Sequence, residues 1–259
     1  ELRFGVPSYG TMAHSFIQAH DDEAQAFVDF ARAQPNNVVL LLDTYDTEAA
    51  ARKVVALAPR LAQEGIAIKG VRLDSGNLAE HAKKVRRILD DGGLNEVTIF
   101  ASGNLDEYAV RDLLASGAPI DGFGIGSRLD TSADAPYLDC AYKLQEYAGR
   151  PRRKRSEGKA TWPGRKQVYR MYGPGGVMTS DVLTLEGDPQ PGDSLIQAVM
   201  RGGRRLAPPA PLAESRARAA AELARLPQAS RSLDDAPPYP VTIAPALRAL
   251  ADAVDAQTR

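Results

Sequence analysis

Through the first half of this chain, short runs of β-branched and aliphatic residues alternate with amphipathic helical patterns in units of about 30 residues. That alternation constrains the fold more than any other feature. The strand-like runs are residues 3–8, 38–42, 67–73, 97–101 and 121–125. Leu78, Ala82, Val85 and Leu89 recur at three- and four-residue steps, which predicts a helix over about 78–90 with one apolar face. A second helix is expected to open at Asn104 as its N-cap, to carry Asp106 and Glu107 in its first turn, and to stop at Gly117. A third is expected over 136–148, with Tyr137, Ala141, Leu144 and Ala148 along one side. Repeated β–α units predict a parallel sheet with right-handed crossovers, a barrel or a doubly wound sheet.

The character changes near residue 150. Residues 150–170 hold nine basic side chains against one acid, Glu157, and short Gly- and Pro-punctuated strands follow around 168–172 and 181–186. A helix around 212–226, a Pro-rich turn at 237–240 and a terminal helix close the chain. The expected division is therefore 1–149 as a β/α catalytic portion and 150–259 as a basic linker, short antiparallel strands and C-terminal helices. The basic run reads as a solvated or phosphate-facing linker, since arginine dominates the basic residues throughout, and no nucleic-acid partner is expected. The net charge of −1 supplies no global field for polyanions. The longest strongly apolar run, 38–42, is far short of the roughly 20 residues of a membrane-spanning helix, so no membrane partner is expected. The single cysteine, Cys140, fits a reducing compartment, and the expected location is cytoplasmic.

Small and polar residues cluster immediately after the strand-like runs. The clusters are Gly10 to Ser15, Asp43 to Thr47, Arg72 to Asn77, Ser102 to Asn104 and Gly124 to Arg128. In parallel α/β folds, ligands bind where the loops after the strands converge, so these clusters read as one site. Alternation sharpens the third cluster. Ala67, Lys69, Val71 and Leu73 share one face, and Ile68, Gly70, Arg72 and Asp74 share the other. The Val/Leu face suits packing under helices, which sends Arg72 and Asp74 toward the strand-end mouth and Lys69 away from it. An arginine fork matches a carboxylate or phosphate, and an aspartate can accept from ribose hydroxyls. Asp74 and Asn77 read equally well as helix caps. Gly124 and Gly126 do not spell a dinucleotide fingerprint, but Ser127 and Arg128 beside them favour an anion site. With no His or Cys partners at ligand spacing, no protein-held metal site is expected.

Together these segments resemble the nicotinate phosphoribosyltransferase family. The resemblance rests on Gly10-Thr11-Met12-Ala13-His14-Ser15, on Val71-Arg72-Leu73-Asp74-Ser75-Gly76, and on the stretch from Ile99 to Glu107 that contains Ser102-Gly103-Asn104. It extends through Gly122-Phe123-Gly124-Ile125-Gly126, Tyr142-Lys143-Leu144, Gln167-Val168-Tyr169-Arg170 and the distal Tyr239-Pro240-Val241.

The resemblance implies an irregular, incomplete TIM-like β/α barrel of parallel strands with a β-rich and helical C-terminal appendage. It implies transfer of the phosphoribosyl group from phosphoribosyl pyrophosphate to nicotinate, coupled to ATP, with Mg²⁺ as cofactor and a homodimer when full-length. His14 would be the phosphorylated, catalytic histidine, and Asp74, also catalytic, would sit near the ribose. Arg72, Ser75 and Thr11 would bind substrate, and Ser102, Gly103, Gly124 and Gly126 would line the phosphate end. Alternatives are a relative acting on nicotinamide or quinolinate, or a truncated non-catalytic phosphosugar-binding barrel. Asn77 departs from the family, where aspartate is common. A further departure is the start: Glu1 stands in place of methionine, ten residues before Thr11, where the family carries an N-terminal region.

Overall fold

The computed structural model describes residues 3–133 and 135–257. The chain forms two compact units, the first Val6–Leu138 and the main body of the second Asp139–Arg259.

The first unit begins with α1 (His14–Gln18) and α2 (Glu23–Ala33). Then come β1 (Val38–Leu41), α3 (Thr47–Gln63), β2 (Ile68–Leu73), α4 (Leu78–Asp91), β3 (Thr98–Ala101), α5 (Glu107–Ala115), β4 (Gly122–Phe123) and α6 (Ser127–Thr131). Four of the helices start on a side chain that accepts a hydrogen bond from a first-turn N–H. Asp22 caps α2, Asp46 caps α3, Asn77 caps α4 and Asp106 caps α5. The core is made where helix stripes meet strands: Phe27 and Ala31 of α2, Val54 and Leu61 of α3, Val71 and Leu73 of β2, Ala82, Val85 and Leu89 of α4, and Ile99 of β3 are all buried. Truncating one such leucine to alanine removes about 2–5 kcal/mol, a large share of a typical domain's stability.

The sheet runs β1-β2-β3-β4 in chain order, and every pair is parallel. Among the described residues the strand order of this sheet follows the chain order without a reversal. The register aligns the strand ends: Leu41 pairs with Arg72, Leu73 with Ala101, and Ala101 with Phe123. Backbone bonds prolong this row past the strands, from Ser102 N to Leu73 O at 2.8 Å and from Gly124 N to Ala101 O at 2.8 Å. The loops that begin at Leu42, Asp74, Ser102 and Gly124 therefore open side by side.

Three expectations fail. Residues 3–8 form no strand; they are exposed and pair with no neighbouring strand. Asn104 is no cap: it adopts a left-handed φ of 51° after Gly103, and the cap is Asp106. The helix expected over 136–148 is absent, because the end of that stretch is taken by a tight hairpin. β5 (Glu146–Tyr147) pairs with β6 (Arg150–Pro151) across Ala148 and Gly149, both at positive φ. Gln145 O accepts from Arg152 N and Gly164 N, which ties the start of the hairpin to the chain beyond it.

In the second unit, β7 (Lys166–Tyr172) and β8 (Met178–Leu185) form an antiparallel hairpin. β9 (Asp193–Ser194) pairs antiparallel with β7, and β12 (Val241–Ile243) pairs parallel with β8. Between these lie the small hairpin β10 (Met200–Arg201) and β11 (Arg204–Arg205), and α7 (Leu212–Ala224). The terminal α8 (Pro245–Gln257) buries Leu247, Ala251 and Val254. Much of the basic run serves this unit's own structure. Arg170 grips Asp181 with two bonds of 2.9 Å, Arg153 pairs with Asp255, and Arg165 pairs with Glu146. The Lys166 ammonium donates to the carbonyls of Trp162 and Gly164, and burial pushes its pKa down. Among the described residues, no helix is long and apolar enough to cross a membrane.

Candidate functional site

The row of strand ends brings the polar clusters of the first unit together. Val71 and Leu73 are fully buried on one face of β2, which leaves Arg72 and Asp74 half-buried on the other. Arg72 donates from one terminal nitrogen to Thr11 Oγ1 at 2.7 Å, so its fork is braced against the segment that leads into α1. Its Nε is buried and has no partner. A buried guanidinium nitrogen without an acceptor is costly.

His14, the first residue of α1, lies opposite Asp74. One ring nitrogen, Nδ1, is 3.1 Å from Thr44 Oγ1, and the other, Nε2, is 3.7 Å from Asp74 Oδ2. The second oxygen of Asp74 accepts a short hydrogen bond from Ser102 Oγ, at the end of β3. Three loops are thus tied to one carboxylate. Ser75 Oγ donates another short bond to Asp43 Oδ2, which also accepts from the backbone N–H of Asp74 at 3.1 Å. The remaining oxygen of Asp43 is buried and unpartnered.

Gly103 is required at its position by geometry. Its φ is +99°, and a Cβ there would lie 1.8 Å from the backbone oxygen of Asp74. Gly124 approaches Phe100 and Ser102, with a built Cβ 3.1 Å and 3.3 Å from them. Gly126 faces open space. Arg128, just after it, donates to Asn104 Oδ1 and Asp106 Oδ2 at 3.2 Å each, joining the loops after β3 and β4.

Of the residues singled out in the sequence, Thr11 and Arg72 form one linked pair, and His14, Asp74, Ser75 and Ser102 form a second group in which Asp43 joins Ser75 to Asp74. Gly103 and Gly124 line the same edge, and Gly126 touches none of the others. Asp43 and Thr44, which stand in one of the post-strand clusters, join the site although the motifs do not single them out. Their signal was position: they follow β1 as Asp74 follows β2. Asn77 acts as the α4 cap, accepting from Glu80 N at 3.2 Å. Lys69 is exposed, on the face away from Arg72.

Chemically, the constellation offers an imidazole between a hydroxyl and a carboxylate, an arginine lacking one acceptor, two adjacent aspartates, and a glycine-lined edge where backbone can approach a phosphate closely. Among the described residues, no three His, Cys, Asp or Glu side chains gather as a metal cage.

Comparison with known proteins points in one direction. No protein-family model matches the chain. Nicotinate phosphoribosyltransferase pncB2 of Mycobacterium tuberculosis is 46% identical over 243 residues, covering 93% of this chain and 52% of the relative. The mouse nicotinate phosphoribosyltransferase is 32% identical over 273 residues, covering 93% and 51%. The crystal structure of human nicotinic acid phosphoribosyltransferase superposes with a TM-score of 0.78 at 26% identity, covering 97% of this chain and 62% of that one. Nicotinate-nucleotide pyrophosphorylase from Pyrococcus furiosus superposes with a TM-score of 0.68, also at 26% identity, covering 86% and 56%. The chain spans about half the length of the curated relatives it matches.

Proposed function

The chain belongs to the nicotinate phosphoribosyltransferase family, and from that premise we propose that it carries the chemistry joining nicotinate to phosphoribosyl pyrophosphate in an ATP-coupled reaction. The products are nicotinate mononucleotide and pyrophosphate. Residues 1–149 supply the reacting groups, as one wall of an irregular TIM-like barrel, and residues 150–259 form its appendage. The observation that carries this reading is the Thr11–Arg72 and His14–Asp74–Ser102 constellation at the aligned strand ends.

Each residue then has a chemical task. Arg72, braced by Thr11 and short of one acceptor, takes the nicotinate carboxylate through its free guanidinium edge. During transfer, the bond from ribose C1 to the pyrophosphate oxygen breaks, and pyrophosphate leaves with the electron pair. The pyridine nitrogen of nicotinate forms the new C1–N bond. The Asp74 carboxylate stabilises the positive charge that builds on the ribose, and Ser75 hydrogen-bonds a ribose hydroxyl. Gly103 and Gly126 present backbone N–H groups to phosphate oxygens, and Ser102 and Gly124, whose N–H groups bond Leu73 and Ala101, shape the edge beside them.

His14 couples the ATP. Its imidazole attacks the γ-phosphorus, ADP departs, and the phosphoramidate formed is later hydrolysed to inorganic phosphate. Thr44 and Asp74 hold the ring on its two nitrogen sides, fixing its orientation at the mouth of the site.

Mg²⁺ fits the donor set. Asp43 has a buried oxygen with no partner, its other oxygen accepts from the Asp74 backbone N–H, and carboxylates at both positions are hard oxygen ligands. Asp43 and Asp74 would hold the ion together with substrate phosphates. When bound, it neutralises charge on the leaving pyrophosphate.

The test is to incubate the protein with nicotinate, phosphoribosyl pyrophosphate, Mg²⁺ and γ-labelled ATP. Mononucleotide and an acid-labile protein label are expected, with the label lost in His14→Ala. Absence of both products, or a label that survives His14→Ala, overturns the assignment.

A further inference from the structure

The Ser75–Gly76 turn is clamped from two sides, and only one clamp belongs to the polar site described above. On the inner side, Ser75 Oγ and the Asp74 N–H both bind Asp43. On the outer side stands His81, in the first turn of α4. Its Nδ1 is 3.1 Å from Glu48 Oε1, and Lys84 Nζ is 3.3 Å from the same oxygen. Glu48 lies in the first turn of α3, five residues after Asp43.

These contacts fix the histidine ring. An ionised carboxylate only accepts hydrogen bonds, so Nδ1 is the protonated nitrogen that donates to Glu48. The Nε2 and Cδ2 edge is then turned toward Gly76. A Cβ built on Gly76 would stand 2.9 Å from Nε2 and 3.1 Å from Cδ2, and the φ of Gly76 is +74°. The ring edge therefore occupies the space a side chain would need, against a turn that only glycine adopts without strain.

We propose that His81 is a positioning residue for the Ser75–Gly76 turn: held by Glu48, it packs on Gly76 and keeps the Ser75 hydroxyl on Asp43. The loops after β1 and β2 are coupled twice, by Asp43–Ser75 inside and by Glu48–His81–Gly76 outside. Substrate contacts at Ser75 and Asp74 depend on both. This rests on the functional reading above only in taking phosphoribosyl pyrophosphate as the ligand of that turn.

The test uses His81→Ala and His81→Gln in the whole chain, with thermal unfolding as control. Two readouts are taken: the amide NMR signals of Ser75 and Gly76, and calorimetric affinity for phosphoribosyl pyrophosphate with Mg²⁺. In His81→Ala, both amide signals are expected to move, and affinity to fall about fivefold, the scale of one net hydrogen bond. In His81→Gln, whose amide can still donate to Glu48, the signals and affinity are expected to return to within about twofold of wild type. Unmoved Ser75 and Gly76 signals in His81→Ala, or a His81→Gln as defective as the alanine variant, overturn the proposal. If the wild-type chain binds no phosphoribosyl pyrophosphate, it is the functional reading that fails, and the amide signals still decide the role of His81. If His81→Ala does not fold, Glu48→Ala keeps the imidazole and removes the acceptor that holds it; Ser75 and Gly76 signals that stay put in Glu48→Ala overturn the proposal equally.

Discussion

The imidazole of His14 sits 3.7 Å from the Asp74 carboxylate, joining the start of α1 to the end of β2. The two side chains are 37% and 32% exposed. A contact so open to water adds little to stability, about 0–1 kcal/mol. Its geometry nevertheless engages several elements, since Thr44 holds the other face of the imidazole and Ser102 holds the far oxygen of Asp74. A pair that contributes little to folding but is restrained from two further loops is suited to meet a ligand.

Asp74→Asn separates charge from shape. Asparagine still accepts from Ser102 and fills the same volume, but it cannot stabilise a cationic ribose. Mononucleotide formation is expected to slow about 100-fold in kcat, the loss typical of removing one electrostatic stabiliser. The thermal midpoint should shift by only a few degrees. Steady-state kinetics beside a melting curve make the check, and an unchanged kcat takes Asp74 out of the reaction.

Arg72→Lys tests the fork. Arginine can hold Thr11 with one nitrogen and present another edge to a carboxylate, whereas lysine offers a single point charge. The KM for nicotinate is expected to rise about tenfold or more, with the KM for ATP unchanged. A KM for nicotinate equal to that of the wild type removes Arg72 from carboxylate recognition.

Much of this site can be read from the sequence, for reasons tied to particular residues. Strand alternation places Arg72 and Asp74 on one face because Val71 and Leu73 claim the buried one. Periodicity places α4, whose buried Ala82, Val85 and Leu89 are the stripe itself. What stays hidden is set by contacts distant in sequence. The role of Asp43 appears only when β1 and β2 pair and bring it to Ser75. The stretch 136–148 has a helical stripe, yet Gly149 and the bonds to Gln145 O impose a hairpin. The contact of His81 appears only when Glu48, 33 residues earlier, is placed beside it.

Gly103→Ala should damage fold and site together. A methyl group 1.8 Å from Asp74 O cannot be accommodated without moving one of two backbones, and the φ of +99° adds strain. The loss is expected to be about 3 kcal/mol or more, beyond the ordinary range for a substitution in a loop. Urea denaturation measures it. A loss below about 1 kcal/mol would mean the loops after β2 and β3 are not in contact as described.

Glu48→Gln gives a prediction with a definite sign in pH. Burial alone would push the Glu48 carboxyl up, but its own backbone N–H, His81 and Lys84 outweigh burial and hold it below the usual value of 4.5. The folded state thus gives up this proton more readily than the unfolded chain. Between the two pKa values the unfolded state binds more protons, so stability rises with pH across that window. The contribution is complete above the unfolded value and is lost as pH falls through the lower folded value. Glutamine has no such proton to lose. The stability advantage of wild type over Glu48→Gln should therefore be present at neutral pH, shrink below about pH 4.5, and vanish in stronger acid. Urea unfolding of both proteins across that range reads the difference directly. An advantage that grows as the solution is acidified would mean that burial, not His81 and Lys84, dominates at Glu48.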